Sequence, residues 1–189
     1  MNVLIVHCWG CDCESNWFPW LKNELVGRGA LKVATRQPFT VVCPNLPNSE
    51  FPKKEEWLAE IRNRVKKFDE SWVLVGHSLG CPTILRLLEV FDSKEIVKAV
   101  ILVSGFARDV GYEELKNFVD KDFKWEKIRK TSEKFVVIHS EDDPLIPFKE
   151  GQYLAKQLQA EFIVEQGLGH IKGEPYGRYQ RILDIILTI

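Results

Sequence analysis

The sequence predicts an α/β fold: a doubly wound, mostly parallel sheet of about six strands, in one domain over residues 1–189. Three observations predict it. Short, continuously apolar runs recur along the chain, as in parallel strands covered on both faces. Between them lie longer segments whose apolar residues return at helical spacing. One apolar run enters Gly76-His77-Ser78-Leu79-Gly80 directly, and a helix-like run follows at once. Such alternation puts the ligand crevice beyond the carboxyl ends of the strands.

Taken in order, Val3 to Val6 is the first strand, running into His7-Cys8-Trp9-Gly10. Trp17, Trp20, Leu21 and Leu25 follow at helical spacing, and Gly27 and Gly29 are expected to end that helix. Phe39 to Cys43 reads as a strand stopped by Pro44 and Pro47. Lys54 to Phe68 reads as a polar helix with a stripe at Trp57, Ile61 and Val65. Trp72 to Val75 is a strand, Cys81 to Phe91 a helix and Lys98 to Val103 a further strand. Phe106 to Glu133 breaks the rhythm with charges and aromatics; a small cap and a helical connection on the sheet's flank are both compatible with it. Lys134 to His139 is a strand, Pro147 to Leu158 a helix, Glu161 to Glu165 a strand and Tyr176 to Leu187 a closing amphipathic helix.

Composition narrows the function classes. Hydrophobic residues are 45% and charged residues 28%, ordinary for a globular protein with one sizeable core. A formal net charge of −1, with Lys and Arg spread along the chain, argues against a nucleic-acid or anionic-membrane partner. No basic segment precedes Val3 to Val6, which is too short for a signal sequence, and no apolar run approaches a membrane span. A cytoplasmic location and reduced thiols are therefore expected for the five cysteines.

Gly-x-Ser-x-Gly between a strand and a helix is a nucleophile-elbow pattern. The turn is so sharp that its central residue is held in a strained backbone conformation, and side chains two positions away would collide. Ser78 would stand above the sheet, and the Leu79 amide would face a developing oxyanion. A serine needs a base, and the base needs an orienting carboxylate. Of four histidines, His170 alone lies past the last strand, after Gly167 and Gly169. His77 points away from the hydroxyl, His139 ends a strand before the acid loop, and His7 belongs to the first loop. The acid is one of two neighbours, Asp142 and Asp143. The second oxyanion donor should come from the first loop, as the backbone N–H of Trp9 or, alternatively, of Cys8. Cys8, Cys11 and Cys13 have metal-like spacing, but no second Cys pair or Cys-His cluster supplies a fourth ligand, so no metal is expected. A redox-sensitive thiol or plain packing remains for them.

The elbow, Asp143-Pro144-Leu145-Ile146-Pro147 and Gly169-His170 resemble the α/β-hydrolase superfamily across nearly the whole chain. The short length and Asn16-Trp17-Phe18-Pro19-Trp20-Leu21 narrow the resemblance to the small serine hydrolases of the retinoblastoma-binding protein 9 and YdeN type. The resemblance implies hydrolysis of small acyl esters by Ser78, His170 and Asp143, without a cofactor or large lid. Asp143 is favoured because it fits the superfamily's Asp-x-x-aliphatic-Pro pattern, and Pro144 biases it toward extended backbone. Where relatives commonly carry a Gly-rich loop, this chain has Cys8-Trp9-Gly10-Cys11-Asp12-Cys13. A protein-binding module on the same fold is the alternative function; the Leu-x-Cys-x-Glu signature for retinoblastoma-type pockets is absent.

Overall fold

The structure, a computed structural model, describes residues 1–30, 39–173 and 177–189. Six strands, β1 (Asn2–Val6), β2 (Thr40–Val42), β3 (Trp72–His77), β4 (Ala99–Val103), β5 (Phe135–Ser140) and β6 (Glu161–Glu165), form one open sheet. Their order is β2-β1-β3-β4-β5-β6, and every pair is parallel.

Both faces are covered, which is why the inner strands are apolar at successive positions. Val3, Ile5, Val73, Val75, Ile101 and Val136 face α1 (Phe18–Ala30) and α7 (Gln180–Thr188), through Trp17, Leu21, Leu25, Ile182 and Ile186. Leu4, Val6, Leu74, Val100, Leu102 and Val137 face the other layer, built on α2 (Lys54–Arg64), α3 (Gly80–Glu89) and α6 (Phe148–Leu158). Each fully buried Leu or Ile contributes roughly 1.5–3 kcal/mol relative to exposure. Among the described residues no helix is long and apolar enough to cross a membrane.

Phe106 to Glu133 is a helical connection on the flank. A 3-10 turn (Glu113–Leu115), α4 (Lys116–Val119) and α5 (Trp125–Arg129) run along α3 and α6. Arg86, buried in α3, holds it: Nε donates to Phe118 O at 2.9 Å, Nη2 to Lys121 O, and the guanidinium lies 3.8 Å over the Phe123 ring. The segment's first part places Tyr112 beside Trp9, in the loop after β1, with ring centroids 5.4 Å apart.

Two helix boundaries differ from expectation. α1 continues through Gly27 and Gly29 to Ala30. Glycine costs a helix about 1 kcal/mol but does not force it to stop, and Trp17, Phe18, Leu21 and Leu25 hold this one on the sheet. α2 stops at Arg64 because Val65 turns extended (φ −125°). The turn carries Phe68 inward to stack on Phe91, with the Phe68 N–H donated to Glu95. Tyr176, the expected start of the last helix, lies outside the described residues.

Two glycines should respond oppositely to alanine. A Cβ on Gly27 would meet nothing within 4 Å. Gly27→Ala should therefore raise unfolding free energy by about 0.5–1 kcal/mol, read by urea denaturation. A Cβ on Gly80 would overlap the Val6 carbonyl, which is backbone and cannot step aside. Gly80→Ala should lower stability by at least about 2 kcal/mol in the same assay.

Candidate active site

The site is built at the carboxyl ends of β1, β3, β4 and β5. Strand register aligns them, with Val6 beside Gly76, His77 beside Val103 and Val103 beside Ile138. β3 turns into α3 through Ser78, whose φ is +53°. That left-handed conformation is costly for a residue with a Cβ, so the surroundings must impose it. Ser78 N donates to Val103 O and Cys81 N to Ser78 O, both at 2.9 Å. A Cβ on Gly76 would sit 2.8 Å from the Gly80 backbone, so both flanking positions must be glycine. Ser104, just after β4, repeats the strain at φ +49°. Its buried hydroxyl has no partner among the described residues.

The loop after β1 is oriented by His7, a buried imidazole that the sequence reading left without a role. Leu46 N donates to His7 Nε2 at 2.9 Å, so the ring proton is on Nδ1. Nδ1 in turn donates to Cys8 O at 2.9 Å, and Cys11 N also donates to that carbonyl. In a planar trans peptide the C=O and the next N–H point oppositely. With the Cys8 carbonyl turned inward, the Trp9 N–H is turned outward. Among the described residues neither Trp9 N–H nor Leu79 N–H has an acceptor. The Trp9 side chain is itself anchored, Nε1 donating to Glu50 O at 2.8 Å and the ring lying 5.4 Å from Tyr112.

On the β5 side, His170 Nδ1 donates to Asp143, with Oδ2 at 2.8 Å and Oδ1 at 3.0 Å. Asp143 Oδ1 also accepts Leu145 N at 2.9 Å and Ile146 N at 3.0 Å. Burial works to raise the Asp143 pKa, but the His170 hydrogen bond and these two amides together outweigh it, and the carboxyl ends below its usual range. Asp142 instead accepts Ser140 Oγ at 2.5 Å and Gly169 N at 3.3 Å, bracing the loop that carries His170. No hydrogen bond joins Ser78 to His170 among the described residues. They are linked through His77, whose Nε2 donates to His170 O at 2.9 Å and whose ring lies 5.0 Å from the His170 ring.

His139 is the second residue without an assigned role in the sequence reading. Its Nε2 donates to Ile146 O at 3.0 Å and lies 3.5 Å from Asp143 Oδ2, while the ring fills the space left by Gly151 of α6. Burial lowers its pKa, keeping it neutral beside the carboxylate. The backbone partners of His7 and His139 lie 39 and 7 residues away, and no local pattern announces them.

The cysteines depart from expectation. Cys8 and Cys11 are joined in a disulfide, so the expectation of five reduced thiols is corrected. The two sulfurs meet because Gly10, at φ +63°, folds the loop into a turn closed by Cys11 N and Cys8 O. Cys13, Cys43 and Cys81 remain thiols. Among the described residues no group of three or more His, Cys, Asp or Glu side chains forms a metal-binding cluster.

Comparison with known proteins places this geometry. The family model described as serine hydrolase matches residues 3–186. The chain belongs to the serine hydrolase family. It is 32% identical over 189 residues to the hydrolase YdeN of Bacillus subtilis, covering 99% of this chain and 95% of that one. It is 26% identical to the serine hydrolase RBBP9 of Rattus norvegicus over 174 residues, covering 91% and 87%. The crystal structure of the Bacillus subtilis ydeN gene product superposes with a TM-score of 0.89, over 99% and 97% of the chains. An esterase from Exiguobacterium antarcticum, 13% identical, shares the fold at a TM-score of 0.65 over 100% and 91%.

Three buried imidazoles should make this serine hydrolase less stable in acid. Burial, first among the causes in each case, lowers the pKa of His7, His77 and His139 from 6.5, that of His77 to about 3. Above pH 6.5 they are neutral folded or unfolded, so stability should be flat. Below it the unfolded chain binds protons that the folded chain refuses, and stability should fall. The slope should turn positive below pH 6.5 and stay under the three-proton limit, about 4 kcal/mol per pH unit, in urea titrations from pH 7.5 to 5. A pH-independent unfolding free energy over that range would show that the imidazoles ionise in place.

Proposed function

We propose that this serine hydrolase cleaves small acyl esters through Ser78, His170 and Asp143, with the N–H groups of Leu79 and Trp9 as the oxyanion hole. The observation that carries the reading is the paired hydrogen bond from His170 Nδ1 to Asp143, which fixes the tautomer with Nε2 unprotonated. In this reading Ser78 Oγ attacks the ester carbonyl and its proton passes to His170 Nε2. The carbonyl oxygen becomes an oxyanion facing the free amides of Leu79 and Trp9. Collapse returns the proton to the leaving alcohol. Water then repeats the sequence on the acyl-enzyme, with His170 again as base. His7 supports the chemistry indirectly, by holding the peptide plane that aims the Trp9 amide. No cofactor takes part in this reading.

Ser78→Ala should abolish both fluorophosphonate labelling and p-nitrophenyl acetate hydrolysis while leaving the circular dichroism spectrum unchanged. Labelling of that variant would mean another nucleophile. Complete inertness of the wild type would leave the protein-binding alternative.

Asp143→Asn should favour the wrong imidazole tautomer and lower kcat by at least about 10²; the same change in a serine protease costs roughly 10⁴. Asp142→Asn removes only a brace and should cost less than about tenfold. The reverse order of the two effects would reassign the acid.

In this reading the short segment that brings Tyr112 to 5.4 Å from Trp9 leaves room for short acyl groups only. Specificity constants should fall from butyrate to dodecanoate esters below micelle formation; a rise along the series would contradict the assignment.

A further inference from the structure

We propose that the Cys8–Cys11 bond is a reversible thiol–disulfide site whose state sets the turnover of this hydrolase by fixing or releasing the Trp9 amide. The inference rests on the oxyanion role proposed for Trp9. The bond closes a ring of Cys8, Trp9, Gly10 and Cys11, so the candidate donor lies inside the covalent loop. Cys8 is held a second time through its carbonyl by His7 Nδ1–H. Rings this short remove little unfolded-chain entropy compared with long ones. A cross-link placed here constrains one loop far more than it stabilises the fold.

The surroundings suit exchange at this bond and not at the other cysteines. Cys8 is 5% exposed, whereas Cys11 is half-buried and open to attack. Asn16 Nδ2 donates toward Cys8 Sγ at 3.0 Å and lies 3.7 Å from Cys11 Sγ. A donor at that distance stabilises Cys8 as the leaving thiolate. Cys13 Sγ donates to Glu14 Oε1 at 3.6 Å, and burial, the first cause for both, raises the pKa of Cys13 and of Cys43, so they stay protonated. Protonated thiols are poor nucleophiles and do not compete.

The step balances with an external dithiol as reductant. Its thiolate attacks Cys11 Sγ, the Cys8–Cys11 bond breaks, and Cys8 leaves as a thiolate and is protonated. The reductant's second thiolate attacks its own mixed-disulfide sulfur and releases Cys11. The protein gains two electrons and two protons, and the dithiol becomes a cyclic disulfide. After reduction the loop retains Gly10 N to Ser49 O at 2.9 Å and Trp9 Nε1 to Glu50 O at 2.8 Å. The fold therefore persists, and the Trp9 peptide plane, still held through the Cys8 carbonyl by His7 Nδ1, loses the second of its two restraints.

The test poises the full-length protein in reduced and oxidised dithiothreitol mixtures. Free thiols of the denatured protein, kcat and KM for p-nitrophenyl acetate, and near-ultraviolet circular dichroism are followed together. As thiols rise from three to five, kcat should fall about tenfold, less than the 10²–10³ of losing a donor outright. KM should change less than about twofold, and oxidation should restore kcat. Cys8→Ser with Cys11→Ser should sit at the reduced level and ignore redox poise, while Cys13→Ser with Cys43→Ser should still respond. Constant kcat across the thiol transition would overturn the proposal, as would five free thiols without reductant or global unfolding on reduction. Equal fluorophosphonate labelling in both states with unchanged kcat sinks this inference alone. No labelling in either state sinks the Ser78 reading and this one with it.

Discussion

The first residue of α3 sits against the end of β1 with no room for a side chain. Gly80 faces the Val6 carbonyl directly, and a Cβ there would also come 3.0 Å from His7 O. That approach sets the depth at which α3 meets the sheet, and hence where Ser78 and the Leu79 amide stand. It also sets the distance from that amide to the loop after β1, because the contacted residues lead into that loop. Strain at Ser78 follows from the same packing: a gentler turn would need space that β1 and β4 occupy. The cost, of order 1–3 kcal/mol, is offset by the apolar layers on both faces.

Polar groups at this edge are arranged so that charge is confined. Asp143 is the carboxylate inside, and each of its hydrogen bonds comes from a fixed donor, His170 or a backbone amide of its own loop. The three remaining imidazoles are neutral and used as shaped hydrogen-bond connectors: His7 between two loops, His77 to the His170 backbone, His139 to the Ile146 carbonyl. Among the described residues, His77 Nδ1 and His139 Nδ1 have no partner, so this connectivity leaves buried polar groups unmatched there.

Much of this was legible in the sequence. The strands could be read because both faces are covered, which writes burial as unbroken apolar runs. Ser78 could be read because only glycine fits two residues either side of it. Asp143 was favoured over Asp142 by the superfamily's spacing to Pro147, and in the structure His170 Nδ1 donates to Asp143. Helix ends were less legible, since Gly27 is permissive and the end of α2 is decided by where Phe68 finds Phe91. The roles of His7 and His139 were hidden because their partners are main-chain atoms, identical at every position. The Cys8–Cys11 bond was hidden for another reason. Cysteine parity and presumed compartment say nothing about whether a glycine turn brings two sulfurs together.

The flank segment after β4 is tied down at two places, at its start by Arg108, whose Nη2 donates to the buried Glu150 carboxylate at 2.7 Å, and again at its far end. Arg86 grips Phe118 and Lys121, and Lys54 pairs with Asp120 at 3.1 Å, while the stretch Ala107 to Tyr112 reaches the rim beside Trp9. Chain added within 109–112 would meet only the slowly growing entropy of a longer loop, about 0.6 kcal/mol per doubling, and would leave the anchors at Arg108 and Arg86 in place. The scaffold thus separates an exposed stretch at the rim beside Trp9 from the contacts that keep the fold. New lids can be grafted at one point of the chain without renegotiating the core.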